Sequence, residues 1–159
     1  VAQEHLMRET MNAADICNRI VTIAERGMSL TEAAQLMRDR HVGCLVVVDE
    51  TGAGRIVVGI LTDRDIVTAV VAKALNPAQL VVEDVMTTDM VTALEADSIK
   101  DMLSTMRRKG LRRLPVVTPQ GVLIGLVTLD DLLPIMAEQL RDMAATIEAE
   151  FLHERKVRS

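Results

Sequence analysis

Two stretches of the chain switch between strand and helix periodicity in the same order. Leu30, Ala33, Ala34 and Met37 recur at steps of three and four behind Ser29 or Thr31, which predicts an amphipathic helix over residues 30–40. Residues 44–48 and 56–61 are continuous apolar runs separated by Gly52-Ala53-Gly54, the pattern of two buried strands joined by a turn. A short strand is expected over residues 20–23. A helix after Thr62, carrying Ile66, Ala69, Val70 and Lys73, is expected to stop before Pro77. The order then returns: strand 90–94, helix 99–109, strand 114–117, strand 122–127 and a helix from Asp130.

The return is a repeat in sequence as well as in pattern. Leu30, Ala33, Met37, Leu45, Val47 and Val48 match Ile99, Met102, Met106, Leu114, Val116 and Val117 at an offset of 69, which drops to 66 after the turn. Upstream, Asp15-Ile16-Cys17-Asn18 aligns with Asp84-Val85-Met86-Thr87. The chain is read as two copies of one β-α-β-β-α unit.

Each copy contains one corner where an apolar run meets a Thr, with an Asp three residues later in the first turn of a helix. These are Gly59-Ile60-Leu61-Thr62-Asp63-Arg64-Asp65 and Gly125-Leu126-Val127-Thr128-Leu129-Asp130-Asp131. A hydroxyl, a carboxylate and unpaired helix N–H groups at one point can hold a sugar and its phosphates. The same spacing also describes an N-cap Thr with an N3 Asp partner. A single copy favours the cap; recurrence at the same place in a longer repeat favours a binding site.

Composition narrows the function. Apolar residues make up 49% of the chain, enough for a core, and no run approaches the roughly 18 residues that cross a membrane. The N-terminus has no charged-then-apolar signal pattern, so the expected compartment is cytoplasmic. Cys17 and Cys44 lie apart, without C-x-x-C spacing, at positions marked as buried, which predicts reduced core thiols. His5, His41 and His153 are scattered, so no metal-ligand spacing is present. The net charge of −5 argues against nucleic acid. The run Arg107-Arg108-Lys109-Gly110-Leu111-Arg112-Arg113 is therefore read first as phosphate ligation by Arg112 or Arg113, second as a solvated helix end. With no Trp, no Tyr and Phe151 as the one aromatic, a bound purine has to lie between aliphatic side chains.

Asp84-Val85-Met86-Thr87, Leu114-Pro115-Val116-Val117 and the paired Gly-x-x-Thr-x-x-Asp corners, over roughly residues 13–139, resemble the cystathionine-beta-synthase (CBS) domain in a free-standing tandem pair, or Bateman module. The resemblance implies an α/β (α+β) fold with two repeats about a pseudo-two-fold axis. The divisions would be an N-terminal segment 1–12 that can form a helix, repeat 13–76, repeat 77–139 and a helical extension 140–159. It also implies an adenine nucleotide (AMP, ADP, ATP or a related adenosyl ligand) as regulatory ligand, in two clefts that cross the copies. One would place the ribose on Asp65, with Thr62 and Arg64 toward the phosphates and a far wall from Thr87, Thr88 and Val91. The other would use Asp131 with Thr128, Arg112 and Arg113 nearby, and a far wall from Asn18 and Val21. Carboxylate to vicinal hydroxyls and guanidinium to phosphate are sound pairings. The clefts are unequal in sequence: Arg64 is answered by Asp130, which would repel a phosphate, and Arg112-Arg113 by Gly43-Cys44.

Beyond the repeat, Leu133, Met136, Leu140, Met143, Ile147 and Phe151 form one helical stripe, expected to pack on its own core at first and on another subunit beyond about Arg141. Three functions compete on these residues. The leading one is a non-catalytic adenine-nucleotide sensor, homodimeric, whose occupancy is read by an effector protein. The second is a dimerising scaffold with degenerate clefts. The third is a hydrolase or phosphotransferase using Asp65 or Asp131, ranked last because no motif supplies a base with its orienting partner, a P-loop lysine or a metal cluster.

Overall fold

The computed structural model describes residues 11–157, so the helix expected near residues 3–12 lies outside it apart from Met11 and Asn12. The first repeat runs α1 (Ala13–Ile16), β1 (Ile23–Ala24), α2 (Leu30–Arg40), β2 (Cys44–Thr51), β3 (Gly54–Thr62) and α3 (Asp63–Ile66), which continues as a π-helical turn over Val67–Val71. After a 3-10 turn at Pro77–Gln79, the second repeat runs α4 (Val82–Val85), β4 (Ala93–Leu94), α5 (Ile99–Lys109), β5 (Arg113–Val117), β6 (Leu123–Thr128) and α6 (Leu129–Val157).

Helices α2 and α5 have the expected ends because capping chemistry fixes them. Ser29 with Glu32, and Ser98 with Asp101, form reciprocal capping boxes. At the other end His41 (φ 54°) and Gly110 (φ 65°) turn left-handed. The two sheets also copy one another. In each, a two-residue strand runs parallel to the central strand, which pairs antiparallel with the last; Ala24 faces Val47 where Ala93 faces Val116. Both antiparallel pairs slip register at the same place, between Val47 and Val48 and between Val116 and Val117.

The packing does not respect the sequence boundary between copies. One core cluster gathers Leu30, Ala33, Met37, Leu45, Val47 and Leu61 of the first repeat with Val82 and Met86 of the second. The other gathers Met102, Met106, Leu114, Val116, Val127 and Leu132 with Ala13 and Cys17 of the first. Each repeat closes its core with the segment that opens the other. The first strands are shorter than expected: against 20–23 and 90–94, the ladders hold only Ile23–Ala24 and Ala93–Leu94, and the chain crosses to the opposite repeat further upstream, at Asn18 and Thr87.

Candidate functional site

The exchange builds two matched clefts. Thr87 and Ile60 trade backbone hydrogen bonds at 2.8 and 3.0 Å, and Asn18 and Leu126 do so at 2.9 and 3.0 Å. Ile60 lies two residues before Thr62, and Leu126 two before Thr128. The start of each repeat therefore runs beside the Thr-x-x-Asp corner of the other.

Two glycines permit this approach. A Cβ on Gly59 would stand 2.8 Å from Met86 Sδ and 3.1 Å from the Thr87 carbonyl oxygen; on Gly125 it would stand 2.5 Å from Cys17 Sγ and 2.7 Å from the Asn18 carbonyl oxygen. Each glycine also sits at its sheet's bulge, opposite Val47 or Val116. Both glycines belong to the corner motif, three residues before its Thr, and that fixed spacing is the sequence signal of their role.

Both corners are capped helices. The Thr62 N–H donates to Asp65 Oδ2 (2.9 Å) and the Asp65 N–H to Thr62 Oγ1 (3.1 Å). The Thr128 N–H and hydroxyl both donate to Asp131 Oδ2 (2.7 and 2.8 Å), and the Asp131 N–H returns to Thr128 Oγ1 (3.3 Å). The capping role that repetition had argued down is thus present in both copies. It is compatible with ligation, because in each Asp it is Oδ2 that closes the cap, leaving Oδ1 without a hydrogen bond among the described residues. All four side chains are half-buried at the surface of the clefts.

The remaining expected residues divide. Arg64 is exposed and has no side-chain partner among the described residues. Thr87 and Thr88 are exposed beside the Thr62 corner, while Val91 is half-buried and packs against the second core cluster. On the other side Asn18 is exposed and accepts the Ile20 N–H on Oδ1 (2.9 Å), and Val21 is half-buried. Arg112 departs from its expected freedom: its Nη2 lies 3.5 Å from Asp130 Oδ1, both side chains being exposed. Arg113 departs in direction. Its backbone pairs with Thr128, yet its charge acts on Cys44, the residue that pairs with Thr62. Burial pushes the Cys44 thiol up, the Arg113 cation opposes this, and Asp65 and Asp63 add to the rise, so Arg113 brings its charge to the neighbourhood of the Asp65 corner. At the other corner burial pushes the Cys17 thiol up, opposed by Arg19 and reinforced by Asp131. Both thiols are free and buried.

A separate depression of about 730 Å³ lies on the outer side of α2, lined by Glu25, Met28, Glu32, Gln35, Leu36 and Asp39. Its three carboxylates make it unsuited to a phosphate. Among the described residues no group of His, Cys, Asp and Glu side chains is placed to hold a metal ion, and no helix is long and apolar enough to cross a membrane.

The doubled corner, the crossed strands and the exchanged cores coincide with a family assignment. The CBS domain profile matches the chain twice, at residues 13–72 and 82–138. The chain belongs to the CBS domain family. An uncharacterized protein of Methanopyrus kandleri is 32% identical over 141 residues, covering 89% of this chain and 68% of that one. The crystal structure of Hypoxic Response Protein I with two coordinated zinc ions superposes with a TM-score of 0.69 at 32% identity, over 78% of this chain and 98% of that one. The CBS domain pair of protein MJ0100, solved in complex with 5′-methylthioadenosine and S-adenosyl-L-methionine, superposes with a TM-score of 0.70 at 26% identity, over 82% and 98%. The mixed helix-and-strand architecture of two three-stranded sheets is the CBS-pair fold.

Proposed function

We propose that this CBS pair is a non-catalytic sensor of adenosyl ligands, bound in the two clefts where the start of one repeat crosses the Thr-x-x-Asp corner of the other. The observation that carries the reading is the reciprocal crossing of Thr87 onto Ile60 and Asn18 onto Leu126, which sets a hydroxyl, a carboxylate with one uncommitted oxygen and helix N–H groups against a second wall in each cleft. MJ0100, a structural relative, holds adenosyl compounds in its CBS pair. In this chain Asp65 and Asp131 take the ribose hydroxyls, and AMP, ADP or ATP takes its phosphates to Thr62 and Arg64. Occupancy ties the two repeats together across the crossing, and a partner protein reads that change, to the extent that the ligand binds one arrangement more tightly than the other. The setting is cytoplasmic and the working form a homodimer. Its contacts are the exposed apolar residues of the repeat helices, Val67 and Val71, and the free stripe of α6.

The test exploits composition. With no Trp and no Tyr the pure protein absorbs almost nothing near 280 nm, so a co-purified adenosyl ligand shows as a 260 nm band in a nucleic-acid-free preparation. After that ligand is removed, calorimetry with AMP should show binding that Asp65→Ala weakens by about 1.5–3 kcal/mol, the range for hydrogen bonds to a charged group. A chain that purifies empty and is neither bound nor thermally stabilised by any adenosyl compound is instead a dimerising scaffold.

A further inference from the structure

The two corners share a backbone but leave different groups uncommitted. At the Thr62 corner the hydroxyl accepts the Asp65 N–H and makes no donated hydrogen bond among the described residues, and Arg64 has no side-chain partner among them. Asp63, between them, turns Oδ1 back onto the Arg64 N–H at 2.7 Å. At the Thr128 corner the side-chain donors are engaged, although the Asp130 N–H, unlike the Arg64 N–H, has no partner among the described residues. The hydroxyl donates to Asp131 Oδ2 at 2.8 Å, Arg112 pairs with Asp130, and Arg19 donates to the Ala14 carbonyl oxygen at 3.1 Å. The position of Arg64 is taken by Asp130. Each corner carries two carboxylates, Asp63 and Asp65 or Asp130 and Asp131, but a phosphate at Thr128 would have to break the Arg112–Asp130 pair, whereas at Thr62 it meets an uncommitted hydroxyl and the unpaired Arg64.

The second cleft also carries an apolar group that the sequence analysis did not single out. Ile20 is 89% exposed, and its N–H is held by Asn18 Oδ1, two residues along the segment pinned to Leu126. An isolated surface isoleucine is unremarkable by itself. Beside a corner whose side-chain donors are engaged, it offers cover to an apolar 5′ substituent and nothing to an anionic one.

We propose that the two clefts divide adenosyl ligands by charge: the Asp65 cleft takes a 5′-phosphorylated adenosine, and the Asp131 cleft an adenosine whose 5′ substituent carries no phosphate. The division rests on the adenosyl-sensor reading above and adds the ligand class of each cleft. It makes the pair a comparator of two metabolite classes, in which each ligand binds in the presence of the other.

Calorimetry on the full chain with AMP and 5′-methylthioadenosine as probes tests it. AMP titrated into protein saturated with 5′-methylthioadenosine should keep its full stoichiometry. Arg64→Ala, at an exposed and unpaired position, should weaken AMP by about tenfold or more, the loss of one charge-assisted hydrogen bond, and leave 5′-methylthioadenosine unchanged. Asp130→Arg should add a second AMP site. Displacement of 5′-methylthioadenosine by AMP mole for mole, or an equal loss of both ligands in Arg64→Ala, overturns the division while leaving the sensor function standing. Binding of neither compound overturns the division, and the sensor function falls with it when ADP, ATP and S-adenosyl-L-methionine fail to bind as well.

Discussion

The Thr62 hydroxyl accepts one backbone N–H and donates to no described residue, while the Thr128 hydroxyl accepts and donates within its own corner. The strand registers, the bulges and the crossings are duplicated between the two repeats, so this difference does not come from the fold. The side chains around the corners differ as well, Arg64 against Asp130 and Gly43 against Arg112, and Arg112 is spent on Asp130 inside the protein. Duplicated backbone preserves a cleft; its ligand chemistry is set by what the neighbouring side chains leave unpaired.

The last helices of the repeats differ most, and the largest effect is expected there. The first repeat's ends in the π-helical turn Val67–Val71, whereas α6 runs on to Val157 with Leu140, Met143, Ile147 and Phe151 exposed. Each large side chain of that stripe that is buried contributes roughly 1.5–3 kcal/mol. The full chain should be a dimer at micromolar concentration by light scattering, and a chain ending at Arg141 should dissociate at least tenfold more readily. Ile147→Glu should do the same, and Leu152→Glu, exposed but off the stripe, should not. A full chain that is already monomeric refutes the dimer.

The glycines offer the next contrast. Gly125→Ala drives a methyl into Cys17 Sγ and a backbone oxygen, and should cost about 3 kcal/mol, the upper end for overpacking. Gly59→Ala meets mainly the end of a flexible Met86 side chain and should cost nearer 1 kcal/mol. Urea unfolding followed by circular dichroism measures both, and equal losses would mean that the two crossings are not as differently packed as the distances indicate. Smaller still is the effect of the hydroxyls on stability. Thr128→Val removes a donated and an accepted bond and should destabilise by about 1 kcal/mol, more than Thr62→Val, which removes only the accepted one. The reverse order would contradict the assignment of Thr62 as the uncommitted hydroxyl.

Much of this molecule is legible in its sequence, for identifiable reasons. The ends of α2 and α5 follow from Ser at the N-cap and an acidic N3 residue, local chemistry that survives any tertiary context. The central strands follow from apolar runs that need both faces covered. The four-residue helices α1 and α4 escaped because they are shorter than the window in which helical periodicity can be counted, though Asn12 and Asp15 form a capping box at the first. The first strands are shorter than their apolar segments because such a segment does not reveal how many of its residues will find ladder partners. At the clefts, residue types and the crossing could be anticipated from the repeat and the family resemblance. The direction of Arg113, the pairing of Arg112 with Asp130 and the packing of Val91 could not, since each depends on which of several nearby partners a side chain reaches in three dimensions.

The most direct test of the account is a titration of AMP into the isotopically labelled full chain, followed through backbone amide resonances. The account predicts that Thr62, Arg64 and Asp65 shift together with Thr87 and Thr88, on the opposite repeat, and saturate along one curve, while Asn18, Thr128 and Asp131 stay in place. Shifts confined to the Thr128 corner, or to the carboxylate-lined depression beside α2, would contradict it.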